Sequence, residues 1–185
     1  MSPSISNPKI FQQDSEAEDS TSSTARRDND AGTFLPACIA DPRFDHPFGR
    51  DITLDQLAQQ LDHASSWEAK NRLLVQLSRQ LPDWTDEQKS SQNKVAGCES
   101  QAWLALTEFG DELHIAADSD SRIVKGLLAL VLTAFNRQSA AQISQFDFEA
   151  WLNARGMQRF LSASRGNGLR AIVKTIRDHA SKIPM

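Results

Sequence analysis

The chain of 185 residues is long enough for one globular domain and too short for two of ordinary size. Its net charge of −4 gives it no general attraction to nucleic acid phosphates. No stretch approaches the roughly 20 consecutive apolar residues of a membrane helix. We therefore expect a single domain that binds neither nucleic acid nor a membrane.

The N-terminal segment Met1–Gly32 is rich in Ser, Asp, Glu and Asn, and its large apolar residues are Ile5, Ile10 and Phe11. Such a composition cannot bury enough apolar surface to offset the entropy lost on ordering, so we predict a disordered tail. The segment lacks the apolar core of a secretory signal, and its acidic residues are not typical of a transit peptide, so we expect a cytoplasmic protein. Together with a Pro-rich linker, the tail is placed at residues 1–48 and the folded domain at residues 49–185.

Three capping boxes, each a Ser or Thr followed three residues later by Glu or Gln, mark possible helix starts at Thr53, Ser65 and Thr85. After Thr53 and after Ser65, apolar residues recur at helical spacing, and the second series stops at Pro82. The members of these series are Leu54, Leu57 and Leu61, then Trp67, Leu74, Leu77 and Leu81. We predict two amphipathic helices that pack on a core.

The pattern changes to alternation after Asn93. Ala102, Leu104 and Leu106 alternate with their neighbours in a way that predicts a strand covered on both faces. Gly110-Asp111 is typical of a hairpin turn, and a second strand follows it. Cys98 therefore lies in the loop that leads into an antiparallel hairpin.

Asp118–Ser121 offers several N-cap residues for a helix whose segment Ile123–Leu132 is apolar almost all round, which is typical of a central helix. Gly126 costs this helix about 1 kcal/mol relative to Ala, and we expect it to allow close approach of a neighbouring element. Two further helical segments, Phe146–Arg155 and Leu169–His179, complete the domain. The predicted class is α+β, with a small antiparallel sheet of about three strands packed against several helices and a disordered N-terminal tail.

The two cysteines are considered separately. A cytosolic setting argues against a structural disulfide between Cys38 and Cys98, and no CxxC or HxxxH spacing suggests a zinc site. Gly97 allows a sharp turn that could expose Cys98 at a loop tip, whereas Glu99 disfavours a thiolate. The residues alone leave Cys98 either a small buried side chain or a nucleophile.

The segment Ala96-Gly97-Cys98-Glu99-Ser100-Gln101-Ala102-Trp103-Leu104 resembles the signature of the SufE family, the sulfur acceptors of cysteine desulfurases. Other blocks agree in order and separation, and the resemblance covers about Gly49 to Ala180. These blocks are Trp67–Lys70, Gln80–Pro82, Asp118–Asp120 with Ile123–Leu127, Ser162–Arg165 and Asn167–Leu169.

Some positions depart from the family pattern or divide between its branches. Gly166 and Ala102 replace the usual serine and valine. His46–Gly49 resembles the CsdE branch, whereas Ser91–Asn93 resembles the SufE branch. The resemblance therefore leaves open which branch the chain belongs to, and with it the destination of the sulfur.

The resemblance implies that Cys98 accepts a persulfide sulfur from a pyridoxal-phosphate cysteine desulfurase, which is SufS-like or CsdA-like. It also implies that the chain stimulates that enzyme. The sulfur then goes to a scaffold or another acceptor, for iron–sulfur cluster assembly or a related pathway. Pyridoxal phosphate belongs to the desulfurase, so we expect a carrier that binds no cofactor or metal and is not a self-sufficient enzyme. The resemblance leaves open whether the chain forms a homodimer.

The family places the stretch around Asp118–Ser121 near the cysteine loop, although helix capping is the simpler role for its aspartates. The candidates for partner binding or for gating of the loop are Gly97, Glu99, Asp118, Asp120 and Arg165.

Two other functions are considered. An iron–sulfur scaffold usually needs four thiolates, and the chain has two cysteines. A cysteine hydrolase needs a histidine and an orienting group near the thiol, and no such pattern is visible. We expect His114 to be a surface imidazole and the other three histidines, His46, His63 and His179, to be solvated. The tryptophans expected in the core are Trp84, Trp103 and Trp151.

Overall fold

The computed structural model describes residues 40–97 and 100–183. The predicted disordered tail, Cys38, Cys98 and Glu99 therefore lie outside the described residues. Within them the chain forms six α-helices, three strands and two short 3-10 helices, which confirms the α+β class. In chain order these are a 3-10 helix Pro42–Phe44, α1 Leu54–His63, α2 Trp67–Ser78, β1 Ala102–Phe109, β2 Glu112–Ser119, α3 Arg122–Phe135, β3 Gln138–Ser139, α4 Ala140–Gln145, α5 Phe148–Ala154, a 3-10 helix Met157–Phe160 and α6 Ala163–Ala180.

The predicted helix starts are partly confirmed. Thr53 caps α1 with a complete capping box, but α2 is capped by Ser66 rather than by Ser65. The third box forms its two hydrogen bonds between Thr85 and Gln88, yet a turn follows and not a helix. Trp67 at the start of α2 is 54% exposed, so its assignment to the apolar face was wrong.

The three strands form an antiparallel sheet in the order β1-β2-β3. Gly110 has a φ of +63°, which confirms the predicted hairpin turn between β1 and β2. Both faces of β2 are buried, because helices cover one face and a second cluster covers the other. That second cluster contains Trp84, Trp103 and Ala116, with Phe44 packed against it.

Helix α3 lies at the centre of the core, as predicted, and every residue from Val124 to Phe135 is buried. A Cβ added to Gly126 would overlap the carbonyl group of Leu74 in α2. The absence of a side chain at Gly126 therefore lets α2 approach α3 closely, which confirms the expectation for this glycine.

The C-terminal elements differ from prediction at their boundaries. The predicted helix Phe146–Arg155 is present as α5 but begins two residues later, because Phe146 is the C-cap of α4 and Asp147 is the N-cap of α5. Helix α6 begins at Ala163, well before the predicted start at Leu169, because Ser162 provides an N-cap and the helix continues through Gly166.

The packed part of the chain begins before Gly49. His46 is 3% exposed, with its Nε2 2.8 Å from the carbonyl oxygen of Ile115, and Phe48 is fully buried. The Asn136 side chain donates to the carbonyl oxygen of Phe48 at 2.8 Å. His46 was expected to be solvated and His114 to be a surface imidazole, and both expectations were wrong, since both side chains are buried. The His114 ring packs edge-on against Phe109.

None of the helices in the described part combines the length and apolar character needed to cross a bilayer.

Candidate functional site

The loop that contains Cys98 is closed by backbone pairing. Val95 N–H donates to the Ala102 carbonyl at 2.9 Å, and Leu104 N–H donates to the Asn93 carbonyl at 2.8 Å. Residues 93–95 thus run antiparallel to the start of β1, and the six residues 96–101 form the connection. Since Cys98 and Glu99 fall outside the described residues, the site is defined by their neighbours.

On the entering side of the loop, Gly97 adopts a φ of +87°, in the left-handed region that favours glycine. This confirms the sharp turn expected there. A Cβ at Gly97 would lie 3.7 Å from the Cβ of Ala171, so the turn passes over α6. Ala96 and Gly97 are both exposed, so this side of the loop is open to a partner protein.

On the leaving side, the loop is anchored to the connection between β2 and α3. The Ser119 hydroxyl donates to the Gln101 carbonyl at 2.6 Å, and Asp120 N–H donates to the same oxygen at 3.3 Å. Ser119 Oγ also accepts from Ser121 N–H at 3.2 Å. The sequence analysis expected the stretch Asp118–Ser121 to lie near this loop but named Asp118 and Asp120 as its candidates, whereas the hydroxyl that bonds the loop is that of Ser119.

Ser100, two residues after Cys98, lines a small pocket between α3 and α6. The other residues of the pocket are Val124, Leu127, Ser164, Arg165, Leu169 and Ile172. Arg165 is exposed and belongs to the first turn of α6, whose N-terminal end carries a partial positive charge. The fold therefore brings Arg165 and the N-terminal end of α6 to the pocket that Ser100 lines, on the leaving side of the loop.

Asp118 has a different role from the one expected. It is 1% exposed and pairs with Lys125 at 2.8 Å and with Lys89 at 3.2 Å. It also accepts from Trp84 N–H at 3.1 Å. Burial by itself would raise the pKa of Asp118, but the bonds to Lys125 and Trp84 outweigh it and hold that pKa below its usual value. Asp118 therefore anchors the segment that contains Trp84 and Lys89.

Helix α3 is capped by Ser121, whose Oγ accepts from Val124 N–H at 3.4 Å. The expectation that Asp118 and Asp120 cap this helix was therefore wrong. Asp120 is exposed and reaches the loop through its backbone N–H. Of the candidate residues that can be described, Gly97, Asp120 and Arg165 border the loop, and Asp118 lies buried behind it.

The histidines do not form a catalytic arrangement with the loop in the described part of the chain. His114 lies 3.4 Å from Glu112, toward the hairpin turn, and burial lowers its pKa. His46 contacts Ile115, His63 contacts Gln59 in α1, and His179 lies 3.2 Å from Glu108. No group of three His, Cys, Asp or Glu side chains among the described residues is arranged to bind a metal ion.

Comparison with known proteins adds independent findings. A family model described as "SufE: Fe-S metabolism associated domain" matches residues 55–180. The chain is 39% identical over 141 residues to the "Sulfur acceptor protein CsdE" of Escherichia coli (strain K12), covering 75% of this chain and 95% of that protein. It is 36% identical over 132 residues to an uncharacterized SufE-like protein of Rhizobium etli, covering 69% of this chain and 89% of that protein.

A solved structure shows the same fold. The solution structure of a hypothetical protein from Thermus thermophilus matches with a TM-score of 0.58, covering 70% of this chain and 93% of that one. Its sequence identity is 14%, so the match concerns the fold alone.

Proposed function

Because this chain belongs to the SufE family, we propose that it is a sulfur acceptor that takes a persulfide sulfur onto Cys98 from a cysteine desulfurase. The desulfurase, SufS-like or CsdA-like, holds the pyridoxal phosphate, and this chain stimulates it by removing its persulfide. The sulfur is then delivered in the cytoplasm to an iron–sulfur scaffold or to another acceptor protein.

The proposed transfer is a thiol exchange without net oxidation or reduction. The Cys98 thiolate attacks the outer sulfur of the desulfurase persulfide, and a new S–S bond forms as the old one breaks. The desulfurase cysteine leaves as a thiolate, and the outer sulfur, with its proton, stays on Cys98 as the new persulfide. Delivery repeats this exchange with a thiolate of the next protein, which returns Cys98 to its starting state.

The observation that carries the proposal is the placement of Cys98 in the connection 96–101, which is closed at its base and exposed at Ala96 and Gly97. A sulfur carrier must present its thiol to two proteins in turn. Backbone bonds at Val95 and Gln101 hold the two ends of the connection, and the exposed turn at Gly97 leaves room for a partner. Arg165 beside Ser100 supports an anionic sulfur, which is the nucleophilic form.

Cys98→Ser tests the proposal, with Cys38→Ser as the matched control. After incubation with purified desulfurase and cysteine, we expect the intact mass of the wild type and of Cys38→Ser to increase by one sulfur atom. Cys98→Ser should show no such increase and should not stimulate cysteine turnover, while its circular dichroism stays unchanged. Sulfur bound to Cys98→Ser, or full stimulation of the desulfurase by that variant, would overturn the assignment.

A further inference from the structure

The outer edge of β1 has backbone groups directed away from the sheet. In the ladder, Leu106 lies opposite Ile115. Ile115 N–H donates to the Asn136 side chain at 2.9 Å, and the Ile115 carbonyl contacts His46, so neither group faces β1. The pair is thus of the non-hydrogen-bonded kind, and the N–H and C=O of Leu106 point outward. By alternation, those of Glu108 point outward too.

The described residues cover this edge only at its start. Residues 93–95 pair with Ala102 and Leu104, and the pairing ends there. Beyond Leu104, the described residues provide no hydrogen-bond partner for the backbone of Leu106 or Glu108. Proteins normally pair or cover such an edge, because a free row of N–H and C=O groups recruits another strand.

At Leu106 the uncovered edge lines a groove of about 560 Å³, and Glu108 follows just beyond the lining residue Thr107. Segment 92–96 and helix α6 form its sides, with Lys94, Thr175 and His179 among the lining residues. The chain itself enters the groove at Asp41, and Phe44 also lines it. The described part of the chain therefore starts, toward its N-terminal side, next to a residue that lines the groove.

The residues that precede Asp41 differ from the rest of the N-terminal region. The run Phe34–Ala40, of sequence FLPACIA, is apolar throughout and follows the polar stretch Met1–Gly32. A run of this kind gains free energy when it is buried. Extended, its seven residues span up to roughly 25 Å, which exceeds the roughly 10 Å from Leu106 to Phe109. Pro36 is acceptable in an edge strand, because its outer side needs no N–H.

We propose that Leu35–Ile39 docks in this groove and pairs with Leu106 and Glu108 as an additional edge strand of the sheet. The segment supplies the backbone hydrogen-bond partners that the edge lacks among the described residues, and the apolar residues that line the groove include Phe44, Val95 and Leu106. Because Val95 and Ala96 line the same groove, the added strand lies beside the base of the Cys98 connection. An extended segment of a partner protein would have to displace it in order to pair there.

Amide hydrogen exchange in the full-length protein tests the inference. The variant Leu35→Asp/Ile39→Asp places charges on the docking segment, and Ile5→Asp/Ile10→Asp is the matched control in the polar tail. We expect the amides of Leu106 and Glu108 to exchange at least about tenfold faster in the first variant than in the wild type. The control should exchange like the wild type. Thr107, whose amide faces β2, should exchange equally in all three proteins.

Two outcomes would overturn the inference. Fast exchange of Leu106 and Glu108 in the wild type, with no further increase in Leu35→Asp/Ile39→Asp, would show that nothing covers the edge. Slow exchange that persists in this variant and increases in rate on dilution would show that a second copy of the chain pairs there instead.

Discussion

At the scale of single residues, Gly126 provides a sharp test of the core. A methyl group at this position overlaps the Leu74 carbonyl, so α2 and α3 must move apart. Overpacking of this kind costs about 1 to 3 kcal/mol, which exceeds the gain of about 1 kcal/mol in helix propensity. We expect Gly126→Ala to lower the free energy of unfolding, measured by urea denaturation.

Gly166→Ala is the matched control for Gly126→Ala. Gly166 also lies within a helix, but a Cβ there meets only the Arg170 side chain, at 3.9 Å. The propensity gain is therefore unopposed, and we expect Gly166→Ala to raise stability by about 0.5 to 1 kcal/mol. Equal effects of the two substitutions would contradict the close approach of α2 to α3.

Sequence patterns predicted single residues well where a local rule was sufficient. Gly126 was expected to allow a close approach, and Gly97 and Gly110 to permit turns, because backbone conformation depends mainly on near neighbours. His114 was placed wrongly, because it is buried and packs against Phe109 near the hairpin turn. His46 was placed wrongly because its burial depends on a contact with Ile115 in the sheet. No local pattern reports that contact.

At the scale of elements, Asp118 fastens the segment Pro82–Lys89 to the sheet and to α3. Asp118→Asn removes the charge that pairs with the buried Lys125 while keeping an oxygen for Trp84 N–H. Breaking one side of a buried pair costs about 3 to 5 kcal/mol. Lys125 keeps its contacts with Asp83 and Pro82, so we expect a loss toward the lower end of that range at neutral pH.

The pH dependence provides a second measurement for Asp118. The pKa of Asp118 is lower in the folded protein than in the unfolded chain, so its contribution to stability is complete above the unfolded value of about 3.9. It is lost as pH falls through the lowered folded pKa. The stability difference between the wild type and Asp118→Asn should therefore shrink in acid. Asp86→Asn, an exposed substitution in the same segment, should show neither effect.

The existence of most elements was predictable, but several boundaries and the site contacts were not. The hairpin and α3 follow from hydrophobic periodicity and turn residues. The glycines near the start of α6 concealed its first turn, and this turn carries Arg165 to the side of Ser100. Similarly, the bond from Ser119 to Gln101 joins two loops that are distant in sequence. The sequence motif identified the cysteine, but the residues that border its loop could be identified only from the fold.

At the scale of the whole molecule, the N-terminal region divides into two parts with different expected effects on stability. Met1–Gly32 is polar, whereas the run Phe34–Ala40 that follows is apolar. Removing Met1–Gly32 should change the free energy of unfolding by no more than about 0.5 kcal/mol, as expected for a segment outside the core. Persulfide formation should also persist, since both cysteines remain.

Differential scanning calorimetry of the full chain and of a chain that begins at Thr33 would measure how the removal of Met1–Gly32 changes stability. A third chain that begins at Ala40 lacks the apolar run as well as the polar tail. If the run docks on β1, this third chain should melt at a lower temperature than the second, because it loses both the buried apolar surface and the edge pairing. A marked fall already on removal of Met1–Gly32 would instead show that the polar tail itself packs on the domain.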